Sequence, residues 1–209
     1  MPFNTTAYTD YETNLPQTGC ALVGHPTSGG LLVYQAYNSA IADYALAHQK
    51  FGGPHYSLRR MTWIKPNFLW MMFRSGWATK PNQERILAID LEWEVFLSLL
   101  SVGVMSNYDA RLHDSQAEWG AALRESEVRI QWDPDHDPWG KKLARRALQV
   151  GIKGLSLERF NTEGIRNIFD LTPFVVAQRL ELQKPGGGNL NVVAETRLVL
   201  PQPFPQLYL

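Results

Sequence analysis

Apolar residues among the first thirty positions are scattered between turn formers, and the first sustained run is Leu31-Leu32-Val33-Tyr34-Gln35-Ala36-Tyr37. Its β-branched and aromatic content predicts a strand, and residues 1–30, closing in His25-Pro26-Thr27-Ser28-Gly29-Gly30, form an irregular N-terminal arm in this reading. With Asn38 or Ser39 as N-cap, Ile41, Tyr44, Ala45 and His48 fall on one face of a helix that Phe51-Gly52-Gly53-Pro54 ends. Arg60–Ile64 predicts a short strand, and Pro66 suits the first turn of a helix running to about Ser75, with Gly76 ending it. Arg85–Ile89 predicts a strand, after which Asp90 caps a helix to about Val102, helped by Glu92 and Glu94 at its positive end. Residues 103–126 show no clear period. Val128–Trp132 and Arg146–Ile152 alternate as strands do, with a turn-forming Asp133–Pro138 loop between them. Helices follow over 156–170 and 173–183, then a flexible Lys184–Asn189 turn, a last strand in Val192–Leu200, and an extended tail over 201–209 carrying Pro201, Pro203 and Pro205. The elements interleave without a steady βαβ rhythm. The expected class is therefore α+β: a single domain over 31–200 with one twisted mixed sheet and helices packed against it.

Composition narrows the setting. The chain has 209 residues, 44% hydrophobic and 19% charged, enough for one buried core. Lys+Arg and Asp+Glu are 20 each, so no global field draws the protein to nucleic acid or anionic membranes, and any such contact needs a local basic patch. The single cysteine, Cys20, excludes an internal disulfide framework. A charged segment leading into an apolar run is missing from the first residues, and no apolar stretch approaches the roughly 18 residues that span a bilayer. The expectation is an intracellular, cytoplasmic protein without a membrane partner.

Charge and aromatic residues concentrate in one place, Arg59–Lys80. On a helix from Pro66, Trp70, Phe73, Arg74 and Trp77 stand at i, i+3, i+4 and i+7, one face. Arg59, Arg60 and Lys65 precede it and Lys80 and Arg85 follow. Cations among indoles suit a bound anion, with aromatic walls for a base and charge for phosphate; the plainer alternative is a core helix past which Arg74 extends to solvent. Phosphate-loop and dinucleotide fingerprints are missing, Gly186-Gly187-Gly188 lacks the Lys-Ser/Thr that a phosphate loop needs, and Asp133-x-Asp135-x-Asp137 lacks the rest of a calcium loop, so no metal is expected.

Several strings resemble a known family: Val33-Tyr34-Gln35-Ala36-Tyr37-Asn38, Arg60-Met61-Thr62-Trp63-Ile64-Lys65-Pro66, and Phe68-Leu69-Trp70-Met71-Met72-Phe73-Arg74-Ser75-Gly76-Trp77-Ala78. With Asn82-Gln83-Glu84-Arg85, Val128-Arg129-Ile130-Gln131-Trp132-Asp133-Pro134 and Leu148-Gln149-Val150-Gly151, they look like domain-of-unknown-function family 4291 over roughly residues 31–175. The first thirty residues and the glycine triplet fall outside the resemblance, which implies a shared fold and no particular reaction.

Three chemistries then compete. Transfer of ADP-ribose from NAD needs a pyrophosphate clamp, an aromatic wall and one carboxylate, on an ADP-ribosyltransferase-like fold. Tyr34, Asn38, Arg60 and Lys65 are the candidates for clamp and floor, and Trp63, Trp70 or Trp77 for the wall. Arg74 and Gln149 complete the cofactor set. Glu127, in Glu125-x-Glu127 at a strand start, or Glu84 would be the catalytic carboxylate, with Arg60. The acceptor would be nucleic acid or another macromolecule. The alternative is a non-catalytic nucleotide or nucleic-acid binding module, which needs the Trp/Arg face and no carboxylate. A hydrolase using His48 or His55 is the third.

Overall fold

In the computed structural model, which describes residues 3–201 together with Phe204 and Leu207, the chain begins with β1 (Thr5–Ala7), α1 (Tyr8–Thr13), β2 (Gly19–Cys20) and β3 (Val23–Gly24). It continues through β4 (Gly30–Tyr37), α2 (Ser39–His48), β5 (Thr62–Ile64), α3 (Phe68–Ser75), β6 (Arg85–Glu92), α4 (Trp93–Ser101), β7 (Val104–Met105) and α5 (Gln116–Glu125). Then come β8 (Val128–His136), β9 (Lys142–Ile152), α6 (Gly154–Arg159), a π-helical turn at Phe160–Gly164, β10 (Ile165–Asp170), α7 (Thr172–Leu182), β11 (Asn191–Val193) and β12 (Thr196–Arg197).

β6 explains the layering. Its run Ile86–Leu91 is buried on both sides because helices cover both faces. Leu87, Ile89 and Leu91, with Leu31 and Val33 of β4, face a core shared with α2 and α4. Ile86 and Ala88, with Leu32 and Tyr34, face a second core filled by α3, α7 and residues near both ends of the described chain. β10, β6 and β4 run antiparallel, and the sheet continues where Tyr34 and Lys65 exchange backbone hydrogen bonds of 2.8 and 3.3 Å. β5 then pairs antiparallel with β9, β9 with β8, and β8 lies parallel to β7; β2 shares with β5 the remaining edge of β9. The result is a curled mixed sheet in an α+β fold, as the pattern indicates. Among the described residues no helix is long and apolar enough to cross a membrane.

Several expected boundaries move, each for a tertiary reason. The described part of the expected irregular arm, residues 3–30, is built into the fold: β1 pairs with β11, β3 with β12, and Tyr11 of α1 is 2% exposed. Asp90 does not cap a helix, because β6 runs on to Glu92; the Asp90 carboxylate instead accepts from the Thr27 hydroxyl at 2.7 Å. The expected helix over 156–170 breaks into α6 and the π turn, and its second half becomes β10 along the open edge of β6. Gly164 permits that approach, since a Cβ there would stand 2.9 Å from Leu91 and Val95 side-chain carbons. The hairpin of β8 and β9 absorbs Asp133–His136, so the turn shifts to Asp137, whose carboxylate accepts from the Trp139 and Lys141 N–H groups. The unclassified 103–126 segment contains β7 and α5, the latter capped by Ser115. The expected final strand divides around Ala194 and Glu195 into β11 and β12. Most of the expected proline-rich tail lies outside the described residues; Phe204 and Leu207 are buried in the larger core.

Candidate functional site

The sheet is polar at the seam between β4 and β5. Leu31, Val33, Gln35 and Tyr37 alternate onto one face of β4, and Gln35 is 2% exposed. Gln35 donates from Nε2 to Thr62 Oγ1 at 2.6 Å and to the Trp63 carbonyl at 3.2 Å, and the Tyr37 hydroxyl is 2.8 Å from the same Thr62 oxygen. Gln35 Oε1 is buried without a hydrogen-bond partner. Over this floor lies a two-lobed cleft. Tyr37, Arg60, Met61, Thr62 and Asn82 line both lobes. One lobe, about 440 Å³, adds Asn38, His55 and Tyr56. The other, about 390 Å³, adds Gln35, Trp63, Lys65, Met71, Arg74 and Gln83. Asn82 reaches the junction with φ of +63°, a left-handed conformation that asparagine tolerates better than most residues.

The charges are one-sided. No Asp or Glu is among the lining residues of either lobe. Arg60 and Arg74 are exposed, and among the described residues neither guanidinium has a hydrogen bond or ion pair. Lys65 is only 7% exposed, and its Nζ meets the Trp63 carbonyl alone, at 3.4 Å. Burial, reinforced by the Arg74 charge and opposed by Asp133, brings the Lys65 ammonium down to about 7. Asp133 itself is held by the side-chain amides of Gln131 and Gln149. Trp63 pairs with Gly151, where a Cβ would stand 2.9 Å from the indole; glycine there lets the ring lie close to β9.

The structure thus brings Asn38, Arg60, Trp63, Lys65 and Arg74 to one cleft, although Asn38 spends its carboxamide oxygen capping α2 through the Ile41 N–H. Other expected members lie elsewhere. Tyr34 is fully buried, packed edge-on against Phe68. Trp70 is 5% exposed and lies in a stack with Phe73 and His136, where burial keeps the imidazole below its ordinary range. The expected Trp70–Trp77 face does not form. Gly76 ends α3 in the left-handed conformation, and Trp77 (φ +55°) and Ala78 (φ +62°) continue in it. Trp77 turns into the core against Phe68, donating its indole N–H to the Pro138 carbonyl at 3.1 Å. Arg74 therefore has no indole on either side; Lys80, over Phe73 at 5.7 Å, is the cation–π contact among the described residues. Gln149 lies behind the cleft on Asp133.

Both expected carboxylates are engaged away from the lining. Glu127 accepts from the Leu155 and Ser156 N–H groups at 3.0 and 2.8 Å, capping α6, and these bonds hold it below the ordinary glutamate range. Glu84 accepts from the Asn82 N–H at 2.9 Å, so it shapes the rim of the cleft from outside. His55 lines the first lobe, whereas His48 stacks on Tyr44.

Sequence reasoning misses Gln35, Thr62, Asn82 and Gln83. A buried glutamine inside an apolar strand is the one signal available for Gln35. It also misses two buried ionic clusters. Glu195 accepts from Tyr11 Oη (2.9 Å), Asn67 Nδ2 (3.3 Å) and the Phe68 N–H (2.8 Å). Arg145 joins Asp135 to Glu12.

No curated protein matches the chain. A family model described as Domain of unknown function (DUF4291) matches residues 22–198, beyond the 31–175 span of the motif resemblance at both ends and across the glycine triplet. Most of the cleft-lining positions stand in the strings that carry the motif resemblance, and the chain belongs to that family.

Proposed function

We propose that the cleft binds a nucleotide or a nucleotide unit of a nucleic acid, phosphate on Arg60, Arg74 and Lys65 and base against Trp63 or Tyr37. The observation that carries this reading is the convergence of three cations, none paired to a carboxylate among the described residues, on a hydrogen-bonded floor of amide and hydroxyl groups with aromatic walls. Paired arginines would be neutralised already; unpaired ones retain their hydrogen-bonding forks for an oxyanion. The geometry favours binding over transfer of ADP-ribose, because Glu127 and Glu84 are occupied outside the lining. NAD remains the ligand whose turnover would make the chain a transferase, and nicotinamide release is its readout.

Titration of tryptophan fluorescence with ADP, NAD and a short oligothymidylate tests the reading. Arg60→Ala should weaken binding by roughly 10- to 100-fold, the loss of one charge-assisted contact, without changing the melting temperature. Unchanged affinity would show that the ligand sits elsewhere. Binding should also be proton-linked. Lys65 is half-deprotonated near pH 7 in the free cleft, and a bound anion favours its protonated form. Affinity should then fall as pH rises from about 6 to 9, and Lys65→Gln should flatten the dependence. A flat wild-type profile would remove Lys65 from the contact.

A further inference from the structure

We propose that Lys65 Nζ is a nucleophile that forms an imine with the carbonyl carbon of a phosphorylated aldehyde entering the second lobe. The proposal rests on the phosphate-binding part of the reading above and goes beyond it to a covalent step. An amine that performs this chemistry must lack a carboxylate salt bridge, be buried enough that its charged form is disfavoured, and still reach the ligand space. Lys65 meets each condition. Its residue is buried yet lines the lobe, it forms no ion pair among the described residues, and its one hydrogen bond is the long contact to the Trp63 carbonyl. Donation of one N–H there leaves the lone pair free to point elsewhere. Arg74, on the facing helix, adds a second cation that disfavours the ammonium form. The backbone is fixed by the paired hydrogen bonds between Tyr34 and Lys65, so the amine is presented from a rigid strand.

The step balances without a redox partner. The Nζ lone pair bonds to the aldehyde carbon, and the C=O π pair moves to oxygen. The carbinolamine then loses that oxygen as water, both of whose hydrogens came from Nζ, and a C=N bond remains. Arg74 and Arg60, which line the same lobe, hold the phosphate, and the neutral fraction of Lys65, not the ammonium that would contact an anion, is the form that attacks.

The test uses the whole protein, glyceraldehyde 3-phosphate as probe and sodium cyanoborohydride as trap, followed by peptide mass mapping. The expected result is a reduced secondary amine on Lys65 ahead of the surface lysines, formed at least about tenfold faster than with unphosphorylated glyceraldehyde, the factor that one charge-assisted anchor supplies. Arg74→Gln, judged folded by circular dichroism, should slow labelling at pH 7 and move the labelling profile to higher pH. Labelling spread over surface lysines with Lys65 unmodified overturns the proposal, as does equal labelling by the two aldehydes. Saturable ADP binding with no adduct at Lys65 sinks the imine and leaves the nucleotide reading standing; an adduct in a protein that binds no nucleotide does the reverse.

Discussion

Replacing Arg145 by alanine should cost about 3–5 kcal/mol of folding stability, more than any substitution in the cleft. Arg145 is 1% exposed inside β9. Its Nε donates to Asp135 Oδ2 at 2.6 Å, and its two terminal nitrogens grip Glu12 at 2.8 and 2.9 Å. The bidentate fork ties α1 to the β8–β9 hairpin. Burial already holds the Asp135 carboxyl above its ordinary range, with Arg145 the main force restraining it. Removing the guanidinium leaves that carboxylate in a place where water cannot replace the lost partner. Urea unfolding of the variant measures the cost. An Arg145→Met, Asp135→Leu double variant should recover much of it, because an apolar pair of similar volume has no charge to strand. A loss below about 1 kcal/mol for Arg145→Ala would mean that the cluster is hydrated in solution.

Glu195→Ala should be the next most damaging change. Three donors converge on this carboxyl, and the Tyr34 hydroxyl, turned toward it, already lacks a hydrogen-bond partner. Alanine strands the Tyr11 hydroxyl proton and the Phe68 N–H at about 1–3 kcal/mol for each group that finds no substitute, while Asn67 Nδ2 keeps its 3.1 Å bond to Tyr11 Oη. The same residue makes stability depend on pH. Burial pushes Glu195 from its ordinary 4.5 up to about 8, so the folded state binds its proton more tightly. Its contribution is fully present below about pH 4.5 and is lost as pH rises through 8. Lys65 acts with the opposite sign: its pKa falls from 10.5 to about 7, so stability rises with pH between those values. Between about pH 5 and 7 the Glu195 slope is downward and that of His136, whose imidazole burial holds below its ordinary range, is upward, so Glu195→Gln should make the curve rise relative to wild type. The same slope in wild type and Glu195→Gln would show that the carboxyl is ionised in the fold.

The parts of this architecture legible in the sequence are those with local causes. β4, α2, α3 and the start of β6 announce themselves by apolar pattern and by caps such as Asn38 and Gly76, although α3 starts at Phe68 behind an Asn67 cap and leaves Pro66, expected in its first turn, outside the helix. β1 and β12 do not, because nothing in Thr5–Ala7 or Thr196–Arg197 selects a strand until the partner is in place. β10 is the instructive failure: Ile165 and Ile168 are compatible with helical spacing, but the open edge of β6 offers a longer set of backbone hydrogen bonds. For the cleft, Arg60, Trp63 and Lys65 were legible as charge flanking an apolar strand. Gln35, Thr62 and Asn82 were not, since their roles exist only once β4 and β5 lie side by side. Trp77 misleads because helical spacing carries one residue past the glycine that ends the helix, and Trp70 because its ring is taken up in the stack with Phe73 and His136.

The Glu195 cluster also has a consequence for biosynthesis. The Phe68 N–H at the start of α3 is satisfied by a carboxylate 127 residues downstream, and β1 waits still longer for β11. At ribosomal rates of about 5–20 residues per second, that interval is roughly 6–25 s. Throughout it the helix carrying Met71 and Arg74 has an open end and an apolar surface without its cover. The wall of the cleft is therefore completed only after nearly the whole chain has been made.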